Sequence, residues 1–306
     1  MIPRLNGAAA RLIIAAGFVV LCGASCPARI SPFSTPLAPV LPPQPTLAQV
    51  IETVNRNNAQ ISSFATDEAV LSGPAFPTLR RTSVAFERPR RFRLKAGTGF
   101  LGDELDVGSN DELFWMWIRR NTPPALYFCR HELFAQSPVR QSIPIDPDWL
   151  IEALGVVDLD PARPHEGPFV LPGDRVEIRT PRQTPNGPMT KSTIVDLRYG
   201  WVVEQHLFDA QGQRVASAAA REHRRDPLSN LTMPKIVDLF SPRMNFQMRI
   251  DLGNVKINSP MMTDRAELFA MPEYPGYPAV DLCDPNLRVL PAQPLDTTAW
   301  RASTPR

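Results

Sequence analysis

The chain reads as a mainly β protein: an antiparallel, strongly curved sheet or partly open barrel of ten to twelve strands, plugged by two helices. Three observations predict this. In Arg91-Phe92-Arg93-Leu94-Lys95-Ala96 basic and apolar residues alternate strictly, the period-2 pattern of a half-buried strand. Leu113-Phe114-Trp115-Met116-Trp117-Ile118 does not alternate, so both faces of that strand need cover, one from its own core and the other from a helix or a ligand. Short strand-like runs then follow one another along the chain. Their turns are marked by Gly and Pro, as in Arg198-Tyr199-Gly200, Ala210-Gln211-Gly212 and Pro185-Asn186-Gly187, with no repeat of solenoid or propeller period.

Taken in order, residues 1–25 read as a lipoprotein-type signal peptide. Arg4 and Arg11 precede a run of ten apolar residues, which suits the h-region of a secretory signal and is about half of what spans a bilayer. Gly23-Ala24-Ser25-Cys26 resembles a bacterial lipobox, in which the cysteine becomes the lipidated first residue, although Gly23 stands where Leu is usual. Two or three acyl chains on Cys26 would anchor the protein stably, at roughly 0.8 kcal/mol per buried methylene. Ordinary secretion after signal cleavage is the alternative. Residues 26–46 follow as a tether. The seven prolines between Pro27 and Pro45 keep it extended, with a reach of some 60 Å at about 3.1 Å per residue.

Residues 47–275 carry enough apolar sequence for one all-β domain. Thr46 caps a helix over 47–61 with an i, i+3, i+4, i+7 stripe through Leu47, Val50, Ile51 and Val54. Strands are expected over 64–71, 78–86, 91–96, 103–107, 113–118 and 126–129. Asp146-Pro147-Asp148 starts a short helix over 149–154, ended by Gly155. A second strand series covers 169–171, 175–179, 192–197, 201–208, 215–222 and 235–239. It closes on the cleanest alternation in the chain, Met244, Phe246, Met248, Ile250 and Leu252 between polar neighbours. Residues 276–306 are polar and Pro-containing, and are expected to be loosely ordered.

Composition excludes several functions. The whole chain has 33 basic and 31 acidic residues. Loss of residues 1–25 removes Arg4 and Arg11 and no acid, which leaves a formally neutral chain with no electrostatic case for nucleic acid. Gly97-Thr98-Gly99-Phe100-Leu101-Gly102 spells the dinucleotide-binding pattern, but Asp103-Glu104-Leu105-Asp106-Val107 continues as a strand where a helix should start, so it is a hairpin turn. His131, His165, His206 and His223 lack metal-ligand spacing. Nucleophile elbow and P-loop motifs are missing too, so neither catalysis nor a cofactor is expected. Cys129 and Cys283 form a disulfide in an oxidising compartment, or Cys129 is simply a small buried hydrophobe.

The aromatic cluster Phe114, Trp115, Trp117, Tyr127 and Phe128 reads as ordinary core or as the wall of an apolar cavity. Two helices cannot cover so wide a sheet, and the deficit leaves room for a lipid.

Four segments carry a family resemblance. They are the opening helix over 47–61 running into Ser62-Ser63-Phe64, then Glu87-Arg88-Pro89-Arg90-Arg91-Phe92-Arg93-Leu94, Met233-Pro234-Lys235-Ile236, and Glu267-Leu268-Phe269-Ala270-Met271-Pro272. Together they resemble the bacterial outer-membrane lipoprotein carrier family, the LolA/LolB-like fold that also includes sensor domains of the RseB type and mycobacterial lipid carriers. The resemblance implies a half-open, strongly curved antiparallel β-barrel of about eleven strands with a few covering helices, holding acyl chains of lipids or lipoproteins in its hollow. Candidate lipid-binding residues are Phe92, Leu94, Phe114, Trp115, Met116, Trp117 and Phe128. A soluble shuttle of that family diffuses, whereas lipidation at Cys26 would make this chain a membrane-tethered protein facing the periplasm. The alternative on the same scaffold is an envelope sensor or interaction module with a protein partner.

Overall fold

The computed structural model describes residues 38–99, 102–141, 147–184, 187–259 and 266–287. The expected signal peptide, Cys26 and most of the tether lie outside them, as do Phe100, Leu101, Asp146, Asn186 and the tail beyond 287.

Helix α1 (Leu47–Asn58) opens the described domain with a reciprocal cap: the Thr46 hydroxyl accepts from the Gln49 amide, and the Gln49 side chain accepts from the Thr46 amide. Strands β1 (Ser63–Gly73), β2 (Phe76–Glu87), β3 (Arg91–Thr98), β4 (Gly102–Ser109), β5 (Leu113–Ile118) and β6 (Leu126–Arg130) form an antiparallel meander. Short helices α2 (His131–Phe134) and α3 (Pro147–Ala153) follow, the second ending before Gly155 at φ 108°. The second series comprises β7 (Glu166–Leu171), β8 (Arg175–Thr184), β9 (Gly187–Asp196), β10 (Val202–Phe208) and β11 (Arg214–Arg221). After these come the small β12–β13 pair (Arg224–Arg225, Thr232–Met233), then β14 (Ile236–Ser241), β15 (Phe246–Asp251), β16 (Lys256–Ile257) and β17 (Ala279–Asp281).

The main sheet has 15 strands among the described residues, in the order β17-β6-β5-β4-β3-β2-β1-β15-β14-β11-β10-β9-β8-β7, with β16 also on β1. It is large, curved and not closed into a barrel. The expected count of about eleven strands is too low, and one pairing is not antiparallel: β17 runs parallel to β6. β16 and β17 have two and three residues, too few for a period-2 pattern to show. The described domain also runs past residue 275, because the segment expected to be loose supplies this edge strand.

Two cores lie on the inner face. The apolar stripe of α1 (Val50, Ile51, Val54) packs on Val176, Ile178, Val195 and Val202 of β8–β10. Helix α3 places Trp149, Ile151 and Ala153 against Phe92 and Leu94 of β3 and Leu239 and Met248 of β14–β15. A part-buried charge cluster fixes the back of α3: Glu152 pairs with the fully buried Lys191 of β9 and with Arg182 of β8, and Gln205 donates to the Glu152 carbonyl. Burial works to raise the Glu152 carboxyl, but the charges of Lys191 and Arg182 outweigh it and hold the group below the ordinary carboxylate range.

Candidate apolar cavity

The register of β3, β4 and β5 sorts their side chains onto two faces. Phe92, Leu94, Val107, Met116 and Phe114 point inward, while Arg93, Asp106, Trp115 and Trp117 point outward with Phe128 of β6 beside them. Each face is covered in a different way.

The outer face is closed by the chain's own C-terminal strap, residues 266–287. Tyr274 stacks on Trp117 with ring centroids 3.9 Å apart, and Tyr277 meets the same ring edge-on at 5.3 Å. Beneath them Asp106 is fully buried and accepts from Tyr274 Oη at 2.7 Å, Arg93 Nη2 at 2.7 Å and Trp115 Nε1 at 3.3 Å. Burial, first, and the Asp106 carboxylate push the Tyr274 phenol well up, so it stays a donor. Trp115 lies flat on Gly108, where any Cβ would overlap its ring. Cys129 and Cys283 form a disulfide with Cα atoms 5.6 Å apart, which ties the strap back to β6.

The inner face is left partly uncovered. Leu105, Val107, Phe114, Met116 and Ile118 are all half-exposed, although each sits where a core residue would be expected. They line a cavity of about 500 Å³, closed on the far side by Phe246 and Met248 of β15 and Leu239 of β14, and at its end by α3 through Trp149, Leu150 and Ile151. Phe134 and Leu282 complete the apolar wall. Polar groups occur at Glu104, Arg120, Thr122, Ser109 and Ser241. This is the volume range of small-ligand sites, with an apolar lining and few polar groups.

Of the seven residues expected to meet acyl chains, Phe92, Phe114, Trp115 and Met116 border the cavity. Trp115 does so with its ring committed to the other side, in the outer cluster. Leu94 is buried core beside the cavity. Trp117 and Phe128 lie on the strap side and do not line the cavity, because alternation along β5 and β6 turns them away from Met116 and Phe114. Sequence reasoning missed the opposite wall, Leu239, Phe246 and Met248, whose alternation was legible but whose partner across the hollow was not. Among the described residues, Cys129, Asp281 and Cys283 are close enough to suggest a metal group, but the two thiols are bonded to each other.

No family model matches the chain, and no curated protein does. Solved structures do resemble it. One is a putative outer membrane lipoprotein-sorting protein domain from Vibrio parahaemolyticus, at TM-score 0.46 and 8% identity over 69% of this chain and 92% of that one. Another is a LolA superfamily protein from Nitrosomonas europaea, at TM-score 0.43 and 9% identity over 74% of this chain and 98% of that one. Likenesses at this level assign no function.

Proposed function

We propose that this protein binds acyl chains of lipids or lipoproteins in the inner cavity, without catalysis, as a membrane-tethered component of the bacterial envelope. One observation carries the reading: five aliphatic or aromatic side chains on the core-facing side of β4 and β5 are left half-exposed around about 500 Å³ of apolar space. Apolar surface left open in this way gives up roughly 25 cal/mol per Å² that an occupant can recover. A dozen buried methylenes yield about 10 kcal/mol gross at about 0.8 each, set against roughly 4 kcal/mol or more for association.

The tether belongs to the same proposal. Lipidation at Cys26, followed by the Pro-rich stretch, holds the domain near a membrane on the periplasmic side. No helix among the described residues is long and apolar enough to cross a membrane.

The test is uptake of a fluorescent fatty-acyl probe by delipidated protein, comparing the native chain with Val107→Trp, which fills the hollow from β4. Saturable uptake weakened by the substitution supports the proposal. A native chain that takes up no probe, or a variant that takes it up equally well, sinks it; co-purification of one protein with an empty cavity would then favour the interaction module.

A further inference from the structure

A second cleft, of about 290 Å³, lies between the β12–β13 hairpin and the β15–β16 segment and shares no lining residue with the acyl cavity. Its floor is apolar, from Met233, Pro234 and Ile257, and four cations line it: Arg224, Arg225, Lys235 and Lys256. Two of these are engaged. Lys235 Nζ lies 3.3 Å from Asp251 and 3.7 Å from Glu222, and Arg225 donates through Nε to the Asn230 carbonyl. The one acid lining the cleft among the described residues, Asp226, is turned to its own loop, accepting from the Ser229 amide at 2.7 Å and hydroxyl at 2.6 Å. Arg224 of β12 and Lys256 of β16 are exposed and form no ion pair among the described residues.

The cleft therefore concentrates positive charge over an apolar floor on a chain that is close to neutral overall. We infer that it binds a phosphate group, held between the Arg224 guanidinium and the Lys256 ammonium, with any apolar body the phosphate carries resting on Met233 and Ile257. The guanidinium fork matches two phosphate oxygens and the ammonium supplies a point charge to a third. The group is either inorganic phosphate or a lipid headgroup.

Calorimetric titration of the full chain separates these sources. The probes are inorganic phosphate, a short-chain phosphatidic acid below its micellar concentration, and the diacylglycerol of the same chain length as the neutral control. Each is titrated into the native protein and into the double variant Arg224→Gln/Lys256→Gln. Both positions are exposed, so the fold should be unaffected, and a melting curve verifies this. At least about ten-fold weaker binding in the double variant is expected for a phosphate probe and not for the neutral control. A loss seen with inorganic phosphate assigns a free-phosphate site, and a loss seen only with phosphatidic acid assigns a headgroup site. Absence of binding by either phosphate probe, or equal binding by both proteins, overturns the inference. Added salt should weaken the native interaction, so salt-insensitive binding also contradicts it. Inorganic phosphate has no acyl chain and reports on the cleft alone, whereas diacylglycerol uptake that the double variant leaves unchanged reports on the acyl cavity, so the two proposals fail separately.

Discussion

Tyr274 lies 3.9 Å from Trp117 with their ring planes 9° apart, on the opposite side of β5 from the cavity. This stack covers one face of the strand with the chain's own C-terminal segment. The face carrying Trp115 and Trp117 is sealed by the strap, and the face carrying Phe114, Met116 and Ile118 borders the cavity.

Tyr274→Phe keeps the stack but removes one donor from the fully buried Asp106. A buried carboxylate that loses a partner is expected to destabilise the fold by about 1–3 kcal/mol, read from denaturant unfolding. Acyl-probe affinity of the folded fraction should stay unchanged, and a loss of affinity as large as that of Val107→Trp would show that the strap face takes part in binding.

Gly108→Val should be worse than an ordinary small-to-large change in a strand. The added Cβ meets the Trp115 ring, so the ring must leave its place over β4 and its bond to Asp106. A melting temperature equal to that of the native chain would contradict this packing.

Lys191→Met leaves the part-buried Glu152 with Arg182 as its one remaining cation in this cluster and should destabilise by about 1–3 kcal/mol, while Lys191→Met/Glu152→Met recovers most of that loss. The pH dependence follows from the lowered Glu152 carboxyl. Its stabilising contribution is complete above the unfolded value, about 4.3, and is lost as pH falls through the lower folded value. Glu152→Gln should flatten that acid limb of the unfolding curve. Equal limbs in both proteins would contradict the assignment.

His223 gives a second window. Its ring stacks on Trp201 at 4.6 Å, and burial lowers its pKa to about 4. The unfolded chain takes the proton first, so stability is full above about pH 6.5 and falls by up to about 3 kcal/mol as pH drops to about 4. His223→Phe should lessen this slope without removing it, because burial also lowers His131 and His206, and should leave the lower Glu152 limb in place, which can be followed by Trp fluorescence during urea unfolding at several pH values.

Local pattern made much of this legible. The alternation at 91–96 became β3 with Phe92 and Leu94 inward, and the non-alternating run 113–118 became β5 with both faces needing cover. The Gly-rich stretch at 97–102 joins β3 to β4 as a hairpin, because Gly97 and Thr98 already pair with Asp103 and Gly102. The source of the cover was not legible. Tyr274 and Leu282 meet Trp117 and the cavity wall through contacts between distant parts of the chain, and nothing in their own composition announces a partner. For the same reason the run 113–118 did not separate Trp117, which lies with Phe128 on the strap side, from Phe114 and Met116, which border the cavity: an apolar strand shows that it needs two covers without showing which one is protein.

The most direct measurement is native mass spectrometry of the full-length protein taken from its own membrane, before and after organic extraction, beside Val107→Trp. A removable acyl-sized adduct is expected on the native chain, lost on extraction and absent from the variant, with a covalent mass retained at Cys26 in both. A native chain with no removable adduct, or the same adduct on both proteins, would contradict the assignment of the inner cavity as the acyl-chain site.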